Sequence, residues 1–301
     1  MLLILDDLYE RGRLEHELAG AIAVTTSPAE ATILLTGPSP LGERELDQSP
    51  STRLVITGST GFDHLDLAAV RARGAVACNV PSYCSRDVAD HALACALAGL
   101  RGIAGLDRSV RAGMWDYQAG GELRRARDST IGIIGLGRIG KLVAADARAL
   151  GMRVLATDPH VDEAAAAAVG ATLEPLETML GESDIVTVHA PLTAETHHLI
   201  GRDELAQMRP GSIFINNARA GLVDIEQLIH ALAQDRPGWA FLDVWDVEPP
   251  DPHDQRLDTP TLVVTPHAAW WSRAAEASLF AQIADAVREH LAGRTPEGIL
   301  S

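Results

Sequence analysis

Aromatic side chains are scarce, at 4% of 301 residues, and cysteine is rarer still, with three. Cys78, Cys84 and Cys95 form an odd count at spacings that make neither a disulfide framework nor a zinc signature. They read as incidental or buried thiols, so a cytoplasmic protein with no metal site is expected. Positive charge is also in short supply: 25 Lys plus Arg against 41 Asp plus Glu give a formal net charge of −16. So acidic a surface repels a phosphate backbone, which argues against a nucleic-acid partner and leaves single basic clefts open. Long hydrophobic runs are missing too. The opening MLLILDD stops at Asp6 with no basic region before it and reads as a first strand, not a signal peptide. The most apolar stretch, Val88–Leu106, is broken by Asp90, His91 and Arg101, so no membrane span is expected.

What is present is a globular balance, 47% hydrophobic and 22% charged. The length suits one large domain or two ordinary ones, at roughly 100–200 residues each. Short apolar runs alternate with helical patterns throughout. Strands are predicted at Leu2–Leu5, Ile33–Thr36, Leu54–Gly58, Ala75–Cys78, Thr130–Gly135, Arg153–Asp158, Ile185–His189, Ser212–Asn216, Trp239–Val244 and Leu262–Thr265. Such alternation predicts an α/β chain with parallel sheets covered on both faces, in two doubly wound units rather than one very wide sheet. Asp87–Val110 reads as one long helix, followed by the glycine-bearing, charged segment Gly113–Asp128 with Met114 and Trp115 as its strong apolar residues. Ser272–Leu291 reads as a final amphipathic helix. The expected division is residues 1–99 with 270–301, and residues 100–269.

The strongest motif is Gly135-Leu136-Gly137-Arg138-Ile139-Gly140. It follows the strand TIGIIG, opens a helix, and is followed by a second strand that ends in Asp158. That is the full context of a dinucleotide-binding turn. The first glycine permits the tight turn, the second lets the backbone approach a pyrophosphate, and the third lets the helix pack close to the sheet. The helix N-terminus offers N–H groups to phosphate. Asp158 suits ribose hydroxyls and repels a 2′-phosphate, which favours NAD over NADP.

Three residues past strand ends suit hydride transfer on a hydroxy acid. Arg219, in NNARAGLVD, has the fork for a carboxylate. Glu248, in DVWDVEPP, would raise the pKa of an imidazole beside it and orient it. His267, after LVVTP, would then shuttle the proton. His189 ends a strand as well, in IVTVHAPL, and the residues alone do not rank the two imidazoles.

The segments GIIGLGRIG, VHAPLTAETHHLI, MRPGSIFINNARAGLVD, FLDVWDVEPP and VVTPHAAWWS resemble the D-isomer-specific 2-hydroxyacid dehydrogenases, from about Leu54 (GSTGFDHLDL) to the last helix. The resemblance implies two Rossmann-like domains with the active site in a cleft between them, a homodimer built through the cofactor domain, and Gly113–Asp128 as an arm toward the partner. It assigns Arg219 to the substrate carboxylate, Glu248 as the acid partner and His267 as the catalytic acid/base. It places Ser59, Thr60 and Gly61 as a backbone clamp on the carboxylate. The loop His189-Ala190-Pro191, Thr196, Ala218 and Asp243 fall where the family contacts NAD, Asp243 facing the nicotinamide amide. TPHAAWWS also resembles the C-terminal-binding-protein corepressors and some glycerate dehydrogenases, which makes Trp270 a candidate wall for the substrate side chain.

Three departures bear on substrate. Ala220 stands where the family often has glycine. The loop Thr36-Gly37-Pro38-Ser39-Pro40 lacks the basic residues with which phosphoglycerate dehydrogenases hold a phosphate. The chain ends soon after its last helix, so the regulatory domain found in some relatives is not expected. A small 2-hydroxy or 2-keto acid is the expected ligand. A phosphite- or phosphonate-directed dehydrogenase and an NAD-sensing, corepressor-like interaction protein are the alternatives.

Overall fold

The computed structural model describes Met1–Asp6 and Leu8–Leu300. The chain divides into two compact units, Met1–Cys84 joined by Trp271–Ser301, and Ser85–Trp270.

The first unit begins with β1 (Leu2–Ile4), α1 (Arg11–Leu18), β2 (Val24–Thr25), β3 (Ile33–Thr36), α2 (Glu43–Gln48), β4 (Leu54–Thr57), α3 (Leu67–Ala72) and β5 (Val76–Asn79). The second runs through α4 (Ser85–Leu100), α5 (Ile103–Arg111), β6 (Thr130–Ile134), α6 (Arg138–Ala149), β7 (Arg153–Thr157), α7 (Glu163–Ala168), β8 (Thr172–Leu173) and α8 (Leu176–Glu182). It continues with β9 (Ile185–Val188), α9 (Arg202–Gln207), β10 (Ile213–Asn216), α10 (Ile225–Leu232), β11 (Trp239–Leu242) and β12 (Leu262–Val264). The chain then returns to the first unit as α11 (Arg273–Leu291) and β13 (Ile299–Leu300).

Each unit is a doubly wound sheet. The first has the order β13-β5-β4-β3-β1-β2, parallel except for the antiparallel β13. The second has the order β12-β11-β10-β9-β6-β7-β8 and is parallel throughout. Its central strands, such as IVTV in β9 and IFIN in β10, are buried at every residue. A parallel strand covered on both faces reads as a continuous apolar run for this reason. Alternate residues feed two cores. Ile213, Ile215, Ile185 and Phe241 pack with Ala89, Ala92, Leu93 and Ala96 of α4, whereas Phe214, Val186 and Leu242 pack on the opposite face.

All ten strands expected from the sequence are present, and β2, β8 and β13, of two residues each, are additional. The single helix expected over Asp87–Val110 is instead two. Gly102 takes φ 59°, ends α4 and starts α5, and a Cβ there would lie 2.5 Å from the Gly120 carbonyl oxygen. The break therefore depends on the Gly113–Asp128 segment folding back on it, a contact distant in sequence. The stretch 85–99 also goes with the second unit, where the expectation put it with the first, because the alanine face of α4 completes the β-sheet core there. In the first unit, α11 lies against α1 through the Arg13–Glu276 ion pair at 2.5 Å and an edge-to-face contact of Phe280 with Tyr9. No described helix is long and apolar enough to cross a membrane.

Candidate active site

In the second sheet the strand order reverses between β6 and β9, and the loops at the carboxyl ends of these strands diverge there. Gly135 leaves β6 at φ 89°, a backbone conformation that only glycine adopts without strain. Gly140, in the first turn of α6, has no room for a side chain: a Cβ would sit 2.1 Å from the Gly135 carbonyl oxygen. Gly137 is different. It caps α6 with ordinary φ, and a Cβ there would meet nothing within 4 Å. Space is kept over the α6 N-terminus, where Arg138 and Ile139 begin the helix and its first N–H groups lack helical partners. Asp158, just past β7, accepts the Leu136 N–H at 2.8 Å and the His160 N–H at 2.9 Å, which fixes the glycine turn against the second strand. A cleft beside it is lined by Thr157, Asp158, Pro159, Leu173, Glu174 and Pro175. The residues therefore fit a dinucleotide: an open helix N-terminus for the phosphates, and carboxylates where a ribose would lie.

Further along the same edge stand the titratable residues. His267 Nδ1 lies 2.7 Å from Glu248 Oε2, and the two side chains are 41% and 38% exposed, so the pair is reachable from solvent. Glu248 is held in turn by the Trp245 N–H at 2.9 Å. Partial burial would raise its pKa, but the His267 and Trp245 hydrogen bonds and the charges of His267 and Arg219 outweigh it and hold the carboxyl below its ordinary value. The residue carrying the imidazole sits at φ 50°, a strained setting for a side-chain-bearing residue. Asp243 supplies the restraint. Its carbonyl accepts the His267 N–H at 2.9 Å, and its carboxylate, 1% exposed, accepts the Ala268 N–H at 2.9 Å, the Ala269 N–H at 2.8 Å and the Thr265 hydroxyl at 2.5 Å. Three acceptances from one buried carboxylate lock the loop after β12.

Arg219 follows β10. Asn216 folds the turn that presents it: its Nδ2 donates to the Arg219 carbonyl at 2.8 Å and its Oδ1 accepts the Ala218 N–H at 3.0 Å. Asn216 lies outside the motif residues singled out above, although an asparagine at a strand end before a turn is a recognisable signal. Glu174 carries no such signal, since only the folded chain brings it to the cleft, and Trp245, three residues before Glu248, acts through its backbone N–H, which no residue type announces.

The rival imidazole is differently placed. His189 lies on the face covered by α4, with Nε2 3.0 Å from the Thr187 hydroxyl. Its ring is enclosed although the residue keeps some surface, and burial pushes its pKa down to about 4, so it is neutral at physiological pH. Beside it, Ala190 is half-buried and Pro191 exposed, and Thr196 bridges the loop by donating to the Pro191 carbonyl at 2.7 Å. Of the aromatic pair, Trp270 is half-buried and Trp271 is 60% exposed.

In the first unit, the Ser59 hydroxyl is 2.9 Å from that of Thr57 and donates to the Gly61 carbonyl, while the Thr60 carbonyl accepts Asn79 Nδ2 at 2.6 Å. The loop is thus stiffened from within its own unit. Among the described residues, no group of three or more His, Cys, Asp or Glu could hold a metal ion.

Residues 93–269 match the family model for the D-isomer specific 2-hydroxyacid dehydrogenase, NAD binding domain. A glycerate dehydrogenase of Methylorubrum extorquens is 36% identical over 90% of this chain and 85% of its own. A D-3-phosphoglycerate dehydrogenase of Archaeoglobus fulgidus is also 36% identical, over 86% of this chain, which spans 49% of that protein's length. Among solved structures, D-lactate dehydrogenase from Aquifex aeolicus, complexed with NAD and lactic acid, superposes with a TM-score of 0.87 at 25% identity, covering 97% of this chain and 95% of its own. The glycine turn, the strand-end loops and a relative matched along nearly the whole of both lengths agree, and the chain belongs to the D-isomer-specific 2-hydroxyacid dehydrogenases, oxidoreductases that work with a nicotinamide cofactor.

Proposed function

We propose that this protein is an NAD-dependent 2-ketoacid reductase that interconverts a small 2-keto acid and its D-2-hydroxy acid. The observation that carries this reading is the His267–Glu248 pair at 2.7 Å, partly exposed and charge-linked to Arg219. When bound, the nicotinamide supplies or takes the hydride at C2. The chain's own residues do the rest. Arg219 holds the substrate carboxylate through paired N–H donors. His267, oriented through Nδ1 by Glu248, gives a proton from Nε2 to the keto oxygen in reduction and takes it back in oxidation. The roles of Ser59, Thr60 and Gly61 at the carboxylate, and of Trp270 at the substrate side chain, rest on the family resemblance.

Three further readings belong here. Asp158 and Glu174 line one cleft, and two carboxylates disfavour a 2′-phosphate, which supports NAD over NADP. The loop Thr36–Pro40 has no cation of its own, and the Asp6 carboxylate already holds its Thr36, Gly37 and Ser39, which supports an unphosphorylated substrate. Met114, Trp115 and Tyr117 are 57%, 93% and 82% exposed beside the exposed Ile103 and Val110 of α5. Such a patch supports a homodimer through this arm. Trp115→Lys would then reduce the mass measured by light scattering to that of one chain, and an unchanged mass would remove the arm from the interface. The three free thiols, two of them buried, support residence in the cytoplasm.

The deciding experiment is the loss of reduced-cofactor absorbance with glyoxylate, hydroxypyruvate, pyruvate, bulkier 2-keto acids and 3-phosphohydroxypyruvate, each with NADH and NADPH. Turnover of at least one unphosphorylated acid, with NADH preferred, is expected. No turnover of any acid with either cofactor would overturn the reading.

A further inference from the structure

The turn that presents Glu248 is braced from behind. The Trp245 N–H holds Glu248 Oε1 at 2.9 Å, which leaves Oε2 to face His267 Nδ1 at 2.7 Å. Glu248 and Val247 are both exposed, so burial does not fix this end of the turn. The geometry of the pair therefore depends on the residues that open the turn, Trp245 and Asp246. Both lead to one guanidinium.

The Trp245 ring is buried against Leu242, Leu228 and Leu262, and its Nε1 donates to Asp254 Oδ2 at 3.2 Å. Arg256 grips the same carboxylate from the other side. Its Nε lies 3.0 Å from Asp254 Oδ1 and its Nη2 lies 2.7 Å from Oδ2, the forked geometry that fixes direction as well as distance. The guanidinium also stands 5.1 Å from the centroid of the Trp245 ring. Its Nη1 donates to Asp246 at 2.9 Å and to Glu226, in the first turn of α10, at 3.0 Å. Arg256 thus ties both opening residues of the turn to the element that follows Arg219.

Ion pairs at a surface usually contribute little. This one differs. The Arg256 and Asp254 side chains are 24% and 15% exposed, and the guanidinium engages three carboxylates at once. Hydrogen bonds from Arg256, foremost, hold the Asp254 carboxyl down at about 2, so the brace stays charged wherever the protein can be assayed.

We propose that Arg256 and Asp254 are positioning residues for the proton shuttle: acting through Trp245 and Asp246, they hold Glu248 so that its free oxygen stays on His267. The proposal rests on the 2-ketoacid reductase reading of the site.

The test is a double-mutant cycle against Glu248. The readout is single-turnover reduction of glyoxylate and hydroxypyruvate by NADH under rapid mixing, which separates chemistry from product release. Arg256→Met should slow the chemical step about tenfold or more. KM for the keto acid and NADH affinity by fluorescence titration should stay within about threefold, because Arg219 and the glycine turn are untouched. Glu248→Gln alone should slow it about 10²-fold. In the Glu248→Gln background, Arg256→Met should cost less than about twofold more, since the group it positions has already lost its charge. Asp254→Asn keeps the side-chain shape and drops the charge that Arg256 grips. It should repeat the pattern at about threefold or more, and it covers the case in which Arg256→Met folds badly. An unchanged chemical step in both variants, or the same loss with and without the Glu248 carboxylate, would overturn the proposal. So would NADH affinity falling in parallel with rate in both. Wild type that reduces none of the keto acids named above with either cofactor would overturn the underlying reading instead.

Discussion

The two sheets of this protein are wound alike, yet their switch points are used in opposite ways. In the second unit, the reversal between β6 and β9 is left open. Gly137 has nothing within 4 Å of where a Cβ would be, and α6 starts beneath it with its N–H groups facing that space. In the first unit the reversal lies between β1 and β3, and the chain fills it itself. Asp6, past β1, accepts the Thr36 hydroxyl, the Gly37 N–H and the Ser39 hydroxyl. Tyr9, 4% exposed, donates to the Thr36 carbonyl at 3.2 Å, and its hydroxyl oxygen is 2.2 Å from where a Gly58 Cβ would stand. A doubly wound sheet thus makes a crevice by topology. Whether that crevice takes a ligand depends on whether the chain leaves its own donors unused.

The comparison is broken most severely by removing the side chains that make the open edge chemical. His267→Ala and Arg219→Ala should each lower kcat/KM by about 10²–10⁴-fold, the range for loss of a proton shuttle or a carboxylate fork. NADH affinity by fluorescence titration should stay within about threefold, because the glycine turn is untouched. Full activity in either variant would remove that residue from the mechanism.

Much of this was legible in the sequence, for physical reasons that differ from part to part. The strands were visible because burial on both faces leaves runs such as LVIT and IFIN. The cofactor turn was visible because a positive φ at Gly135 and a carbonyl 2.1 Å from a Cβ at Gly140 admit only glycine. What stayed hidden depends on contacts between residues far apart in the chain. Gly102 breaks the helix because Gly120 closes on it. Asp243 read as a cofactor contact, and nothing in its motif showed that its carboxylate also holds the His267 loop. Glu248 and His267 were named by motif, but their 2.7 Å contact required β11 and β12 to pair.

Two glycines of the open crevice sharpen the comparison at an intermediate level. Gly137→Ala adds a methyl that touches no protein atom within 4 Å, so stability by urea unfolding should change by less than about 0.5 kcal/mol. NADH affinity should nonetheless fall by about tenfold or more, since the methyl occupies space kept for the pyrophosphate. Gly140→Ala should fail differently. Its Cβ would lie 2.1 Å from the Gly135 oxygen, so the helix must shift, and a stability loss of about 1–3 kcal/mol should accompany the lost cofactor binding. Equal stability losses in the two variants would mean that the Gly137 space belongs to the protein's own packing.

The smallest effect is expected where the crevice is already closed. Asp6→Asn keeps the shape of the side chain but replaces a carboxylate oxygen with an N–H₂ group, which cannot accept. One of the three donors from Thr36, Gly37 and Ser39 then loses its partner. Such a loss at a half-buried site costs about 1–2 kcal/mol. It should appear as a lower urea midpoint with an unchanged slope, since no additional surface is exposed on unfolding. NADH affinity should not move, because no part of the α6 turn depends on Asp6. If NADH affinity fell along with stability, the first unit's crevice would share in the cofactor's binding energy, and the contrast between a self-filled and an open switch point would fail.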